Sequence, residues 1–271
     1  MSNIGTIVKS NIQHQTNGLS PFKFLTEYET HHPLQNNLLL ALSDEEINRL
    51  MPNLELVEMP FGKVLHESGE RLKYAYFPTT SILSLHYVLV EGTTSEIAAV
   101  GNEGMLGVSL YMGGDTTTSR AIVRSAGFGY RLKSQLLKNE FNRGGSFLHV
   151  LLRYSQALMT QVTQTAICNK HHTIEQQLCR YLLVSLDRLQ TYSLNMTQEL
   201  ISNILGVRRE GVTSAAGKLQ RAELIRYNRG QIEIIDREGL EKYACECYMV
   251  VKHECGRLLS NTSINTAPNS K

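Results

Sequence analysis

The sequence predicts an α+β chain, with strands gathered in its first half and helices in its second. Three stretches carry that reading. Residues 54–133 are short β-rich segments punctuated by Gly, Pro and Thr, the texture of a β-roll or jelly roll. Residues 146–169 contain no Pro or Gly and repeat apolar side chains at helical spacing, which predicts one long helix. Residues 196–236 read as two short helices, a tight turn between them and a β-hairpin after them, the order of a winged helix-turn-helix.

Size and composition set the outer bounds. A chain of 271 residues is long enough for two hydrophobic cores. Its apolar content of 42% is globular, and no run reaches the roughly 18 apolar residues of a membrane span. The N-terminus has no basic-then-apolar leader, so the expected location is the cytoplasm. Five cysteines, an odd number placed late in the chain, suit a reducing compartment better than a disulfide framework. Net charge is only +2, so any argument for nucleic-acid binding has to rest on local pattern.

Residues 1–33 are polar and read as a flexible tail, with His31-His32 a solvated feature of it. The first domain is expected over residues 34–145. Leu38 to Leu42 is an apolar cluster, and Ser43-Asp44-Glu45-Glu46 is a capping box opening a helix that ends by Met51, before Pro52. Strands are expected at 55–59, 63–66, 74–77, 82–90, 95–100, 121–124 and 130–133, with turns at Pro60-Phe61-Gly62, Ser68-Gly69, Pro78, Gly92 and Gly127. The long helix, residues 146–170, carries Leu151, Leu158, Val162 and Thr165 as a seam for a second copy of the chain. A polar break at Asn169-Lys170-His171-His172 marks the hinge into a further helix, 174–189, and a domain spanning 171–245.

Within that domain Thr197 is a candidate N-cap. Leu200, Ile201, Ile204 and Leu205 give the first short helix one buried face, and Gly206 allows the chain to turn without Cβ strain. Along the second helix Val212, Ala215 and Leu219 share one side, with Arg208 at its polar end. The opposite side shows Arg209, Glu210, Thr213, Ser214, Gly217 and Arg221. That face is polar and free of bulky apolar groups, as a helix laid in a DNA major groove requires. Arginine can bridge the O6 and N7 acceptors of guanine, and glutamate can accept from the cytosine amino group. Ile225 and Tyr227, then Asn228-Arg229-Gly230, then Ile232 and Ile234 write out two strands and their turn.

These residues resemble the Crp/Fnr family of bacterial transcription regulators, over roughly residues 34–245 and most closely in the helix-turn-helix. Aligned through Gly206 and Val212, the resemblance implies base reading by Arg209, Glu210 and Ser214. Arg209 and Glu210 match the cyclic-AMP receptor type, whereas Ser214 stands where an arginine is common. Thr197 falls at a phosphate-contacting position, and Arg208, Thr213, Arg221 and Arg229 are the further backbone candidates. The resemblance also implies a cyclic-nucleotide-binding-type sensor, dimerisation along the long helix, double-stranded DNA and a second copy as partners, and RNA polymerase as another.

The ligand motif of that sensor is altered here. Glu103 follows Asn102 where the family has a Gly-Glu pair, and Ser119-Arg120 stands at the phosphate pair in reversed order. Consecutive strand residues face opposite ways, so the swap is expected to turn Arg120 away from any pocket. Glu103, Ser119 and Arg120 are therefore the candidate effector residues, of a pocket whose ligand need not be a nucleotide, and cyclic AMP is not expected to be required for DNA binding.

The segment 246–271 is expected to be an extension. Cys245, Cys247, His253 and Cys255 invite a metal reading. Their spacing fits no closed zinc pattern, and on a helix Cys245 and Cys247 would point about 200° apart, so packing cysteines and no metal or cofactor are expected. Two other functions bear weighing: the same fold as a constitutive DNA-binding protein with no effector, and a jelly-roll metal enzyme. The β region holds only His66 and His86, too few ligands for the latter.

Overall fold

The computed structural model describes residues 31–91, 94–189, 191 and 193–259. Most of the expected N-terminal tail, residues 1–30, and the end of the expected extension, after Leu259, lie outside them. His31 and His32 are not solvated tail, since His31 stacks on Phe128 at 3.9 Å and His32 Nδ1 accepts from the Leu34 amide at 3.2 Å. The chain divides into two units between Phe147 and Leu148.

In the first unit, a short helix α1 (Asn37–Leu40) is capped by Asn36, whose side chain accepts from the amides of Leu38 and Leu39. Helix α2 (Asp44–Leu50) opens on the expected capping box, Ser43 and Glu46 each bonding the other's backbone amide. Seven strands follow: β1 (Glu55–Met59), β2 (Val64–His66), β3 (Tyr74–Pro78), β4 (Ile82–Val88), β5 (Thr94–Val100), β6 (Arg120–Ser125) and β7 (Gly127–Lys133). They form two antiparallel sheets, ordered β1-β7-β3 and β2-β6-β4-β5. Met59, Leu83, Val100, Leu106, Ala121 and Val123 are the buried side chains between them, so the unit is a β-roll. Gly129 is required by close approach: a Cβ there would stand 2.8 Å from the Phe77 carbonyl oxygen.

A helix absent from the sequence reading follows the roll: α3 (Ser134–Arg143). Leu137 seals it, Phe141 stacks on Tyr111 at 5.2 Å, and Glu140 takes two hydrogen bonds from Arg49. Gly144 and Gly145, both at positive φ, separate α3 from the long helix α4 (Gly145–His171).

In the second unit α4 runs on through Asn169-Lys170-His171, so the expected polar break shrinks to His172-Thr173, before α5 (Ile174–Leu189). The amide of His172 still bonds the Cys168 carbonyl, 3.0 Å, which is why polar residues here do not end the helix early. Then come β8 (Ser193–Asn195), α6 (Gln198–Leu205), α7 (Arg209–Arg221), β9 (Ile225–Asn228) and β10 (Gln231–Ile234), closed by α8 (Arg237–Tyr243) and α9 (Glu246–Leu259). Strand β8, too short to be read from pattern, pairs with β10 and makes the wing three-stranded, β8-β10-β9.

Glu46 ties the first unit together. Its carboxylate accepts from the Ser43 amide and hydroxyl, from the Ser146 hydroxyl and from the Phe147 amide. Burial alone would push this carboxyl up, but the hydrogen bonds from Ser146, Phe147 and Ser43 outweigh it and hold the pKa below the ordinary carboxylate range. The stabilisation is complete above the unfolded carboxylate pKa and is lost as pH falls through the lowered folded value. Glu46→Gln is expected to cost about 1–3 kcal/mol at neutral pH. Denaturant melts at several pH values should show the gap between variant and parent closing in acid.

Candidate nucleic-acid interface

The outward face of α7 is set by what its inward face buries. Val212, Ala215, Ala216 and Leu219 are buried in one core with Leu178 and Leu182 of α5 and Ile201, Ile204 and Leu205 of α6. Thr197 caps α6, its hydroxyl accepting from the Leu200 amide at 3.1 Å, and Gly206 takes the left-handed turn at φ +66°. The two helices are further tied by the Thr213 hydroxyl, which donates to Gln198 Oε1 at 2.8 Å. Gly211, which the sequence reading passed over, lies where a Cβ would stand 2.7 Å from Ile174 Cδ1. A small residue beside Val212, on the inward half of the helix, was the signal.

With that face fixed, Arg209, Glu210, Thr213, Ser214 and Arg221 are all exposed. Arg208 departs from expectation. It is the extended N-cap of α7 and is exposed, so it stands outside the helix rather than at the end of the buried side. Glu210 sits in the first turn, where the helix dipole favours an acid.

The wing completes the surface. Arg229 and Gly230 form the tip at φ +47° and +81°, as a tight hairpin turn demands. The Gly230 carbonyl accepts from the Met196 amide at 2.6 Å, and Tyr227 donates to the Met196 carbonyl at 3.0 Å. These bonds bring the wing tip beside Thr197 at the start of α6. Among the described residues no acidic side chain pairs with Arg208, Arg209, Arg221 or Arg229, whereas Lys218 is neutralised by Glu175 and Arg226 by Glu233. The unpaired cations therefore lie at the start and end of α7 and at the wing tip, a distribution suited to phosphates flanking a groove.

The effector and dimer residues fare differently. Glu103 folds back to accept from the Gly101 amide, Ser119 is buried and bonded to the Thr117 hydroxyl at 2.9 Å, and Arg120 pairs with Glu67 at 3.2 Å. A cleft of this unit, about 370 Å³, is lined instead by His66, Arg71, Lys73, Tyr74 and Tyr76 among others. On α4 burial splits the expected seam. Leu151 is fully buried within the chain, and Thr165 accepts from Arg180 of α5 at 3.3 Å, so neither is offered outward. Leu158 is half-buried; Val162 is exposed, and with it Leu152, Met159 and Ala166. Leu152, Met159 and Ala166 recur every seven residues, with Val162 between them, as one apolar stripe.

Comparison with known proteins agrees with this geometry. Residues 176–243 match the Crp-like helix-turn-helix domain. FixK2 from Bradyrhizobium japonicum superposes with a TM-score of 0.61 at 15% identity, over 71% of this chain and 98% of that one. A CRP-family transcriptional regulator from Thermus thermophilus gives 0.58 at 18% identity, over 69% and 96%. CLP, a c-di-GMP responsive global regulator from Xanthomonas campestris, gives 0.59 at 14% identity, over 72% and 100%. No curated protein matches at the level of sequence. The chain thus has the fold of the Crp/Fnr transcription regulators, and its residues 176–243 match the Crp-like helix-turn-helix domain.

Proposed function

We propose that the protein is a homodimeric, non-enzymatic transcription regulator that binds a two-fold symmetric DNA operator in the cytoplasm. The observation that carries this is the bare N-terminal face of α7, with Arg209, Glu210 and Ser214 exposed and unpaired cations at its margins. Arg209, Glu210 and Ser214 read bases. Thr197, Arg208, Thr213, Arg221 and Arg229 hold the phosphates on either side. Among the described residues no helix is long and apolar enough to cross a membrane. RNA polymerase is the further partner that such a regulator implies.

Binding-site selection on random duplex DNA, followed by titration of the selected site, tests this. Arg209→Ala should cost about 1–3 kcal/mol on the preferred site and relax its sequence preference. Arg229→Gly should behave in the opposite way. Glycine relieves the positive φ and raises stability by up to about 1 kcal/mol, yet all sequences bind more weakly and the salt dependence falls by about one phosphate contact. Equal binding of every sequence by parent and Arg209→Ala would remove α7 from the reading role.

The stripe of Leu152, Met159, Val162 and Ala166 is the proposed dimer contact, since two half-sites need two helix-turn-helix units one DNA turn apart. Leu152→Glu with Met159→Glu should yield monomers in sedimentation and lower operator affinity. A dimer that persists would place the contact elsewhere.

The sensor is proposed to answer to something other than cyclic AMP. Glu103 and Ser119 are already bonded to Gly101 and Thr117, and Arg120 is drawn into an ion pair with Glu67, whereas a cyclic phosphate needs an aimed donor to offset its lost hydration. Calorimetry with cyclic AMP is expected to give no heat, and operator affinity should not change on its addition. Micromolar binding abolished by Arg120→Ala would overturn this.

A further inference from the structure

Three cysteines and a histidine that lie far apart in the chain meet in the second unit. Cys168 lies in the last turn of α4 and His172 just past its end, where the His172 amide still bonds the Cys168 carbonyl and so keeps the two on one face. Cys247 is in the first turn of α9, and Cys245 stands just before it in non-helical backbone. The expectation that Cys245 and Cys247 diverge assumed a helix through both. With α9 starting at Glu246, the chain is free to turn both thiols the same way. The partners expected from sequence, His253 and Cys255, are not members of the cluster, and His172 is no solvated break residue: its side chain is only 14% exposed.

The Sγ atoms of Cys168, Cys245 and Cys247 and a ring nitrogen of His172 all lie within 4.8 Å of one another. Cys168 Sγ to Cys245 Sγ is 3.5 Å, and Cys247 Sγ to His172 Nδ1 is 3.6 Å. Bond lengths of about 2.3 Å to sulfur and about 2.0 Å to nitrogen give a tetrahedron with edges of about 3.8 Å between sulfurs and about 3.6 Å from sulfur to nitrogen. The observed separations are therefore close to those around a tetrahedral ion.

Two surroundings point the same way. Glu246 Oε1 lies 3.3 Å from His172 Nε2, so the carboxylate holds that ring nitrogen as the donor and leaves Nδ1 facing Cys247 as a lone pair. A carboxylate behind the ligating histidine is the usual outer support of a zinc site. The three cysteines are buried together as their own small core, and thiolates buried there would need a dication to balance them.

We propose that Cys168, His172, Cys245 and Cys247 bind one zinc ion, a structural site that staples the end of α4 to the start of α9 across the winged helix-turn-helix. The donor set, three soft thiolates and an imidazole closed to a fourth coordinate, suits zinc.

Full-length protein purified under reducing conditions should carry one equivalent of zinc by plasma mass spectrometry. Exchanged with cobalt(II), it should show thiolate-to-cobalt charge transfer and the strong ligand-field bands of tetrahedral cobalt. Cys168→Ala and Cys247→Ala should lose both signals, and Cys255→Ala should keep them. Should the cysteine variants fail to fold, the exposed Glu246→Gln still decides the matter, with zinc held about tenfold more weakly against a chromophoric chelator. Removal of zinc from the parent by chelation should lower its melting temperature. The proposal is overturned if the parent holds no zinc and takes up cobalt only as an octahedral ion. A full cobalt spectrum in Cys168→Ala or Cys247→Ala, or a Cys168–Cys245 disulfide in the reduced protein, would equally rule it out.

Discussion

The burial of one side of α7 is the constraint on which the exposed polar face proposed to meet DNA depends. Val212 and Leu219 are fully buried, and Ala215 and Ala216 let the helix approach its neighbours closely. Burying each large side chain contributes about 1.5–3 kcal/mol, which offsets the poor helix propensity of a segment containing Gly211, Thr213, Ser214 and Gly217. Those weak helix formers have a purpose in place. Gly211 makes room for Ile174, and Thr213 reaches Gln198 of the preceding helix. A helix that must lie in a groove cannot carry bulky side chains outward, so its stability has to come from the inward face.

The first unit solves a different problem, that of joining helices to a β-roll through irregular backbone. Its answer is a pair of buried polar hubs. Asn36 uses its amide completely, accepting from Leu38 and Leu39 while donating to the carbonyls of Pro78 at 2.9 Å and Gly104 at 2.8 Å. Glu46 does the same for the capping box and the start of α4. Each hub satisfies backbone groups that a turn leaves open, and each is worth more whole than in part, because removing it strands several partners at once.

What the sequence made legible follows from periodicity. Every strand of the roll was found within a few residues, and α5, α6, α7 and the hairpin were readable because apolar spacing, caps and turn glycines agreed. The losses have physical causes. Helix α3 is short, and its buried contacts, Arg49 with Glu140 and Tyr111 with Phe141, come from distant sequence. Leu151 and Thr165 read as seam residues from sequence because they fit a coiled-coil pattern as well as Leu152 and Ala166 do; only tertiary burial separates them. The cysteine cluster escaped because its members come from opposite ends of the second unit, and because the backbone before α9 is extended where a helix was expected.

Helix α4 bears on both ends of this account. At 100° per residue, the exposed stripe through Leu152, Met159, Val162 and Ala166 and the buried line through Tyr154, Ala157, Gln161 and Cys168 lie on nearly opposite sides. Gln161 and Thr165 accept from Arg188 at 3.1 Å and Arg180 at 3.3 Å, so the inner side is bound to α5 by polar as well as apolar contacts. A helix committed on one side to its own chain holds its other side at a fixed angle to the DNA-reading elements packed on α5. Two copies joined along that outer side would then present their α7 helices at one spacing, set by the rigidity of α4 and α5. Under the proposed zinc site, a staple at Cys168 and His172 would act at the end of α4, where that rigidity would otherwise fade, and so would bear on the spacing of the two α7 helices.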